Sequence, residues 1–165
     1  MSESEWPYNL PIWRNAHRAN SPDGRFVAEV DPAYEVSMGN PTLGTLRLSA
    51  GLVLERCNPS FVWSEDSRYL AVPRYFFRLG LFRRQRMIVI DTLMRLIHAS
   101  TEIAYYFQPE SFSRGQLVAT RNPFGAAEQI DWDIPADLGS FKPVAAAWDE
   151  AVQQRHAAGG TARRS

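Results

Sequence analysis

The chain has a single cysteine, Cys57, in 165 residues. One thiol cannot close an intrachain disulfide, so the core must hold the fold and no oxidising compartment is implied. Net charge is missing as well: Lys+Arg and Asp+Glu number 18 each. Proteins that grip nucleic acid ordinarily carry a basic excess against the phosphates, and the balance here argues against that class of partner. No run of about 20 apolar residues occurs, which excludes a membrane-spanning helix. The segment Met1 to Pro7 is acidic and lacks the apolar run of a signal peptide, so the expected location is the cytoplasm. Walker loop, dinucleotide fingerprint, G-x-S-x-G, HExxH and CxxC are all absent. His17, His98 and His156 lie far apart with no metal-ligand spacing. The motifs therefore point to no catalytic residue, no cofactor and no metal.

What is present is apolar and aromatic: 45 % hydrophobic and 12 % aromatic residues, enough for one packed domain over 1–165. Within it a phrase recurs. Ser21-Pro22-Asp23-Gly24-Arg25-Phe26-Val27-Ala28 returns 43 residues later as Ser64-Glu65-Asp66-Ser67-Arg68-Tyr69-Leu70-Ala71, with a blurred third copy at Ser113 to Ala119. A period of about 40–45 residues is the signature of propeller blades. The reading divides the chain into an aromatic N-terminal strap (1–20), repeat units at 21–63 and 64–110, a partial unit at 111–137, a helix at 141–158 and a flexible tail at 159–165.

Short strands are expected at Arg25 to Val30, Tyr34 to Met38, Thr45 to Ser49, Leu52 to Arg56, Arg68 to Val72, Met87 to Asp91, Arg95 to Ser100, Glu102 to Phe107, Gln116 to Thr120 and Gln129 to Ile134. Residues 39–44 read as a loop. Pro7 and Pro11 make the strap extended, with Trp6, Tyr8, Leu10 and Ile12 on one face. Val144, Ala147, Trp148, Ala151 and Val152 fall on one helical stripe, with Gly159-Gly160 as the stop.

The stretch Phe61 to Ser100 resembles a blade of the TolB-type (WD40-like, PD40) β-propeller repeat. Trp63-Ser64-Glu65-Asp66-Ser67-Arg68-Tyr69-Leu70-Ala71 is similar to its turn and first strand, and Met87-Ile88-Val89-Ile90-Asp91 to its later strand. The resemblance implies small antiparallel sheets and is nearly silent on function. Propellers need about four to eight blades, and this chain has material for two to three. The expected class is mainly β: antiparallel sheets from two to three blade-like repeats, as a sandwich or truncated propeller, with one C-terminal α-helix. Open faces then call for an internal cap, a second copy or a partner.

The insertion 73–86 places Arg74, Arg78, Arg83, Arg84 and Arg86 among Tyr75, Phe76, Phe77 and Phe82. Arginine and aromatics concentrate at the energetic centres of protein interfaces. The expected partner-binding set is Arg74, Tyr75, Phe77, Arg78, Phe82, Arg83, Arg84 and Arg86. The competing reading is a long hairpin with Tyr75, Phe77, Leu79 and Leu81 facing the core and the arginines solvated. A second, acidic patch comprises Glu128, Asp131, Asp133 and Asp137, which on an alternating strand also reads as a wet face. Asp66 and Asp91 suit turn closure. The function expected is a non-catalytic protein-interaction module, with a toxin-neutralising immunity protein or an adaptor as its narrower forms. A hydrolase with carboxylates between sheets and a homo-oligomeric, propeller-completing subunit are the alternatives.

Overall fold

Alternation of apolar and polar residues along short segments, broken by Ser, Asp, Gly and Pro turns, favours antiparallel strands. The computed structural model describes residues 11–35, 40–78, 82–123, 126–146 and 148. It is mainly β, 55 % strand and 7 % helix, with antiparallel sheets that form no closed barrel among the described residues. The first meander holds β1 (His17–Asn20), β2 (Val27–Val30), the short β3 (Tyr34–Glu35), β4 (Thr42–Leu48) and β5 (Leu52–Cys57). The second holds β6 (Val62–Trp63), β7 (Tyr69–Arg78), β8 (Phe82–Asp91) and β9 (Leu96–Ala99). Cys57 pairs with Arg74, which joins β5 to β7 and makes the two meanders one sheet. A separate sheet follows from β10 (Phe107–Ser113), β11 (Gln116–Arg121) and β12 (Glu128–Asp133).

The repeated phrase builds the same turn twice. Ser21 Oγ donates to Asp23 Oδ1, and the same hydroxyl and carboxylate accept the amides of Phe26 and Arg25. Ser64, Asp66, Tyr69 and Arg68 repeat the pattern bond for bond. Each turn connects two antiparallel strands, β1 to β2 and β6 to β7. The third copy differs: Arg114 and Gly115 form a two-residue hairpin loop, both at positive φ, between β10 and β11.

The second meander is the middle layer. Leu70, Val72, Ile88 and Ile90 pack with Val30, Leu46, Leu52 and Leu54 of the first meander. From its opposite face, Tyr69, Ala71, Met87 and Val89 pack with Phe107, Leu117, Trp132 and Ile134. That is why Met87-Ile88-Val89-Ile90 is a continuous apolar run, whereas outer strands alternate. The outer faces are polar. On the first meander Arg18 pairs with Glu29 at 3.1 Å, beside exposed Arg47. On the third sheet Gln116, Gln129, Asp131 and Asp133 are exposed.

Several boundaries differ from the sequence reading. Thr42 begins β4, because β3 folds back to pair with it. From 102 to 106 only Ala104 pairs, with Gln85; the strand begins at Phe107 and runs on to Ser113 with a register shift between Pro109 and Ser111. Proline lacks an N–H donor, so an edge strand with a bulge accommodates it. Pro11–Trp13 is a 3-10 turn, not extended chain, and the fully buried Ile12 lies in it; Trp6, Tyr8 and Leu10 lie outside the described residues.

The α-helix among the described residues is short, Ile134–Asp137 (α1), after β12. Over 141–146 and at 148 the chain is not helical, unlike the helix expected from 141. Lys142–Pro143 (β13) pairs with β9, the Val144 amide donates to the Ile97 carbonyl, and Trp148 bridges Leu52. Val144 and Trp148 still cover the core, as extended chain. A strand also satisfies the β9 edge, which a helix would leave open. Ala147 and positions from 149 onward lie outside the described residues. Among the described residues no helix is long and apolar enough to cross a membrane.

Candidate functional site

The insertion at 73–86 is the outer half of a long hairpin. β7 and β8 pair without a break from Tyr69↔Asp91 to Arg78↔Phe82. Flanking strands stop earlier, at Cys57↔Arg74 on one side and Gln85↔Ala104 on the other. Beyond them the described residues form a two-stranded ribbon of three pairs: Phe76↔Arg84, Phe77↔Arg83 and Arg78↔Phe82. Every pair sets one phenylalanine against one arginine. Facing side chains across an antiparallel pair interact, and guanidinium planes favour aromatic faces.

Among the described side chains, the arginines reach rings other than the one directly facing them. Arg86 stands over the Phe76 ring at 5.0 Å, and Arg84 over the Tyr105 ring at 3.7 Å. Arg74 donates from Nε to the Glu55 carbonyl at 3.0 Å, and Arg86 from Nη1 to the Ser100 carbonyl at 2.9 Å. Tyr75 does not belong to an accessible surface. It is buried, and its hydroxyl donates to the Pro41 carbonyl, because its strand face continues the one that carries Ala71. Gln85, opposite it, is fully buried and accepts the Phe107 amide at 2.6 Å. The side chains of Phe77, Arg78, Phe82 and Arg83 lie outside the described residues, as do Leu79 and Leu81.

The acidic positions do not form one surface. On β12, Ile130 and Trp132 turn inward and Asp131 and Asp133 outward; Glu128 alternates with them and forms an ion pair with Arg121. Asp137 sits on α1 and accepts the Asp133 amide at 2.8 Å. Asp66 closes its turn. Asp91, almost fully buried, takes a two-pronged bond from Arg68 and accepts the amides of Leu93 and Met94. Burial pushes the Cys57 thiol up to about 12, which removes it as a nucleophile at neutral pH.

No family model, curated protein or solved structure matches this chain. Two further surface features escaped the sequence reading. The β8–β9 turn exposes Leu93 (68 %), Met94 (59 %) and Leu96 (49 %) beside a crevice of about 390 Å³ walled by Arg25, Phe26, Arg68 and Arg95. Asp91 organises that turn, but nothing local distinguishes its leucines from core residues. The second is a crevice of about 360 Å³ beside His17, Ser60 and Gln108, assembled from three separate chain segments.

Proposed function

We propose that this protein is a non-catalytic protein–protein interaction module that binds through its Arg/Phe ribbon. The observation that carries the reading is the pairing of each ribbon phenylalanine with an arginine on a hairpin end that outruns its flanking strands. No acidic residue occurs from Pro73 to Ile90. Of the 18 Lys+Arg residues only Lys142 is a lysine, so the basic surface is almost wholly guanidinium. Arginine loses less hydration than lysine on burial and forks onto carboxylates, which suits an interface with an acidic protein surface. A cytoplasmic immunity protein or adaptor, meeting a toxin domain or a larger assembly, is the narrower form of this reading. The repeat and its two identical turns support describing the scaffold as a truncated stack of propeller-like blades.

The alternatives have less behind them. Of the carboxylates offered to a hydrolase, Asp66 and Asp91 are engaged in turn closure and in the Arg68 pair, and Asp133 is exposed on β12. Completing a propeller with further copies needs apolar outer faces, and those of the first and third layers carry charged and polar residues.

The test is capture of a partner from the host, followed by titration calorimetry with both proteins purified. The Arg83→Glu/Arg84→Glu double variant should bind at least about 100-fold more weakly, consistent with about 3 kcal/mol from two central arginines, with its melting temperature unchanged. Wild-type affinity should fall with added salt. Unaltered affinity in the double variant would remove the ribbon from the interface.

A further inference from the structure

The backbone of the ribbon has a direction that its register settles. Gln85 donates its amide to the Ala104 carbonyl at 2.7 Å and accepts the Ala104 amide at 3.1 Å. Both groups therefore face away from β7, and Tyr75↔Gln85 is a pair without mutual backbone bonds. Such pairs alternate with bonded ones, so Phe76↔Arg84 is bonded and Phe77↔Arg83 is not. The N–H and C=O of Arg83 thus point out of the ribbon on the side of β8 that Ala104 occupies at Gln85.

Along that side β8 is partnered as far as Gln85 and no further among the described residues. β9 pairs with Ile88 to Asp91, the Ser100 amide donates to the Met87 carbonyl, and Ala104 takes Gln85. Residues 105 and 106 are the positions that would continue this ladder, opposite Arg84 and Arg83. They are drawn off instead. Asn122, at φ 50°, accepts the amides of Tyr105 and Tyr106 on its side-chain oxygen, and the Phe107 amide donates to Gln85 Oε1. The edge of β8 is open because its natural continuation is bonded elsewhere, and the next rung is Arg83.

An outward N–H and C=O on an edge strand are a template for one more strand. Charge selects which. Arg83, Arg84 and Arg86 stand on this edge strand, and no acidic residue occurs from Pro73 to Ile90. A second copy laid antiparallel on the same edge would bring arginine positions against arginine positions, and like charges across a pair repel. A strand that carries carboxylates gains where a second copy loses. Tyr105, 54 % exposed under the Arg84 guanidinium, adds ring surface beside the edge.

We propose that the outer edge of β8 takes an extended acidic segment of a partner protein as an added antiparallel strand, whose residue opposite Arg83 exchanges both backbone bonds with it as Ala104 does with Gln85. This inference rests on the ribbon as the binding surface and supplies its mode: main-chain bonds hold the segment, and carboxylates against the arginine positions select it.

The experiment titrates the full-length ¹⁵N-labelled chain with acetyl-Thr-Glu-Val-Glu-Thr-amide. Two control peptides run in parallel. One carries N-methyl groups on its Glu, Val and Glu amides, which keeps the charge and removes the strand donors; the other has Gln for both Glu. The expected result is a saturable shift centred on the Arg83 amide, with slowed hydrogen exchange there. Each control should bind at least about fivefold more weakly, the equivalent of one ordinary hydrogen bond for the N-methylated peptide. Absence of a saturable shift overturns the proposal, as does equal affinity of either control. Protection of the Arg83 amide that grows with the concentration of the chain alone would give the edge to a second copy and overturn it too. None of these outcomes touches the ribbon reading itself, which falls only if a captured partner ignores Arg83→Glu/Arg84→Glu.

Discussion

Gly24 and Ser67 hold the same place in the two repeated turns, with φ of 74° and 63°. Glycine enters that left-handed region freely, whereas a residue with a Cβ is strained there. A Cβ at Gly24 would meet nothing within 4 Å, so conformation alone decides its substitution. Gly24→Ala should lower the unfolding free energy by about 1 kcal/mol in urea titrations, with an unchanged slope. Ser67 tolerates the strain because its hydroxyl is used: it accepts the Asp23 amide at 2.9 Å and ties the two turns together. The recurrence at this position thus has a direct physical consequence, a contact between the two copies through residues 44 apart in sequence.

Among the elements, β12 and the chain that follows it decide how the third sheet is held. Trp132 is buried, meets Phe107 and Phe141 edge-on at about 6 Å, and donates from Nε1 to Glu102 at 3.2 Å. Trp132→Ala would open a cavity between the middle and third layers and remove the indole donor from Glu102. The expected loss is about 3–5 kcal/mol, read by circular dichroism during chemical denaturation. A loss below about 1 kcal/mol would mean that the third sheet contributes little to cooperative unfolding. The Glu65 carboxylate adds a polar tie to the same seam, accepting the Ser113 hydroxyl and the Arg114 amide, and those bonds hold it below the usual carboxylate range.

For the whole molecule, the order of layers matters more than any contact. Only the middle meander is apolar on both faces, and the outer layers turn Arg18, Glu29 and Arg47 on one side and Gln129, Asp131 and Asp133 on the other toward solvent. Such faces terminate a stack; further copies would bury charge without partners. Light scattering of the free chain should therefore give its single-chain mass of 18.7 kDa. A stable multiple of that mass would return weight to the propeller-completing reading.

What the residues determined alone is the local chemistry. The Ser-x-Asp phrase carries its own hydrogen bonds and so forms the same turn wherever it occurs. The apolar run at Met87 to Ile90 announced a strand covered on both faces, and the alternation at Gln129 to Ile134 a strand covered on one. The Arg and aromatic content of 73–86 was legible, but not that strand pairing would match each phenylalanine with an arginine or bury Tyr75, because register is a property of two strands. Tertiary structure decided the rest. The stripe at Val144 and Trp148 suits a helix by spacing, yet β9 offered an open edge, which Lys142–Pro143 fills while Trp148 bridges Leu52 of β5. The crevice at Ser60 had no signature at all, since Arg14, Ser60 and Gln108 become neighbours only when three layers close on one another.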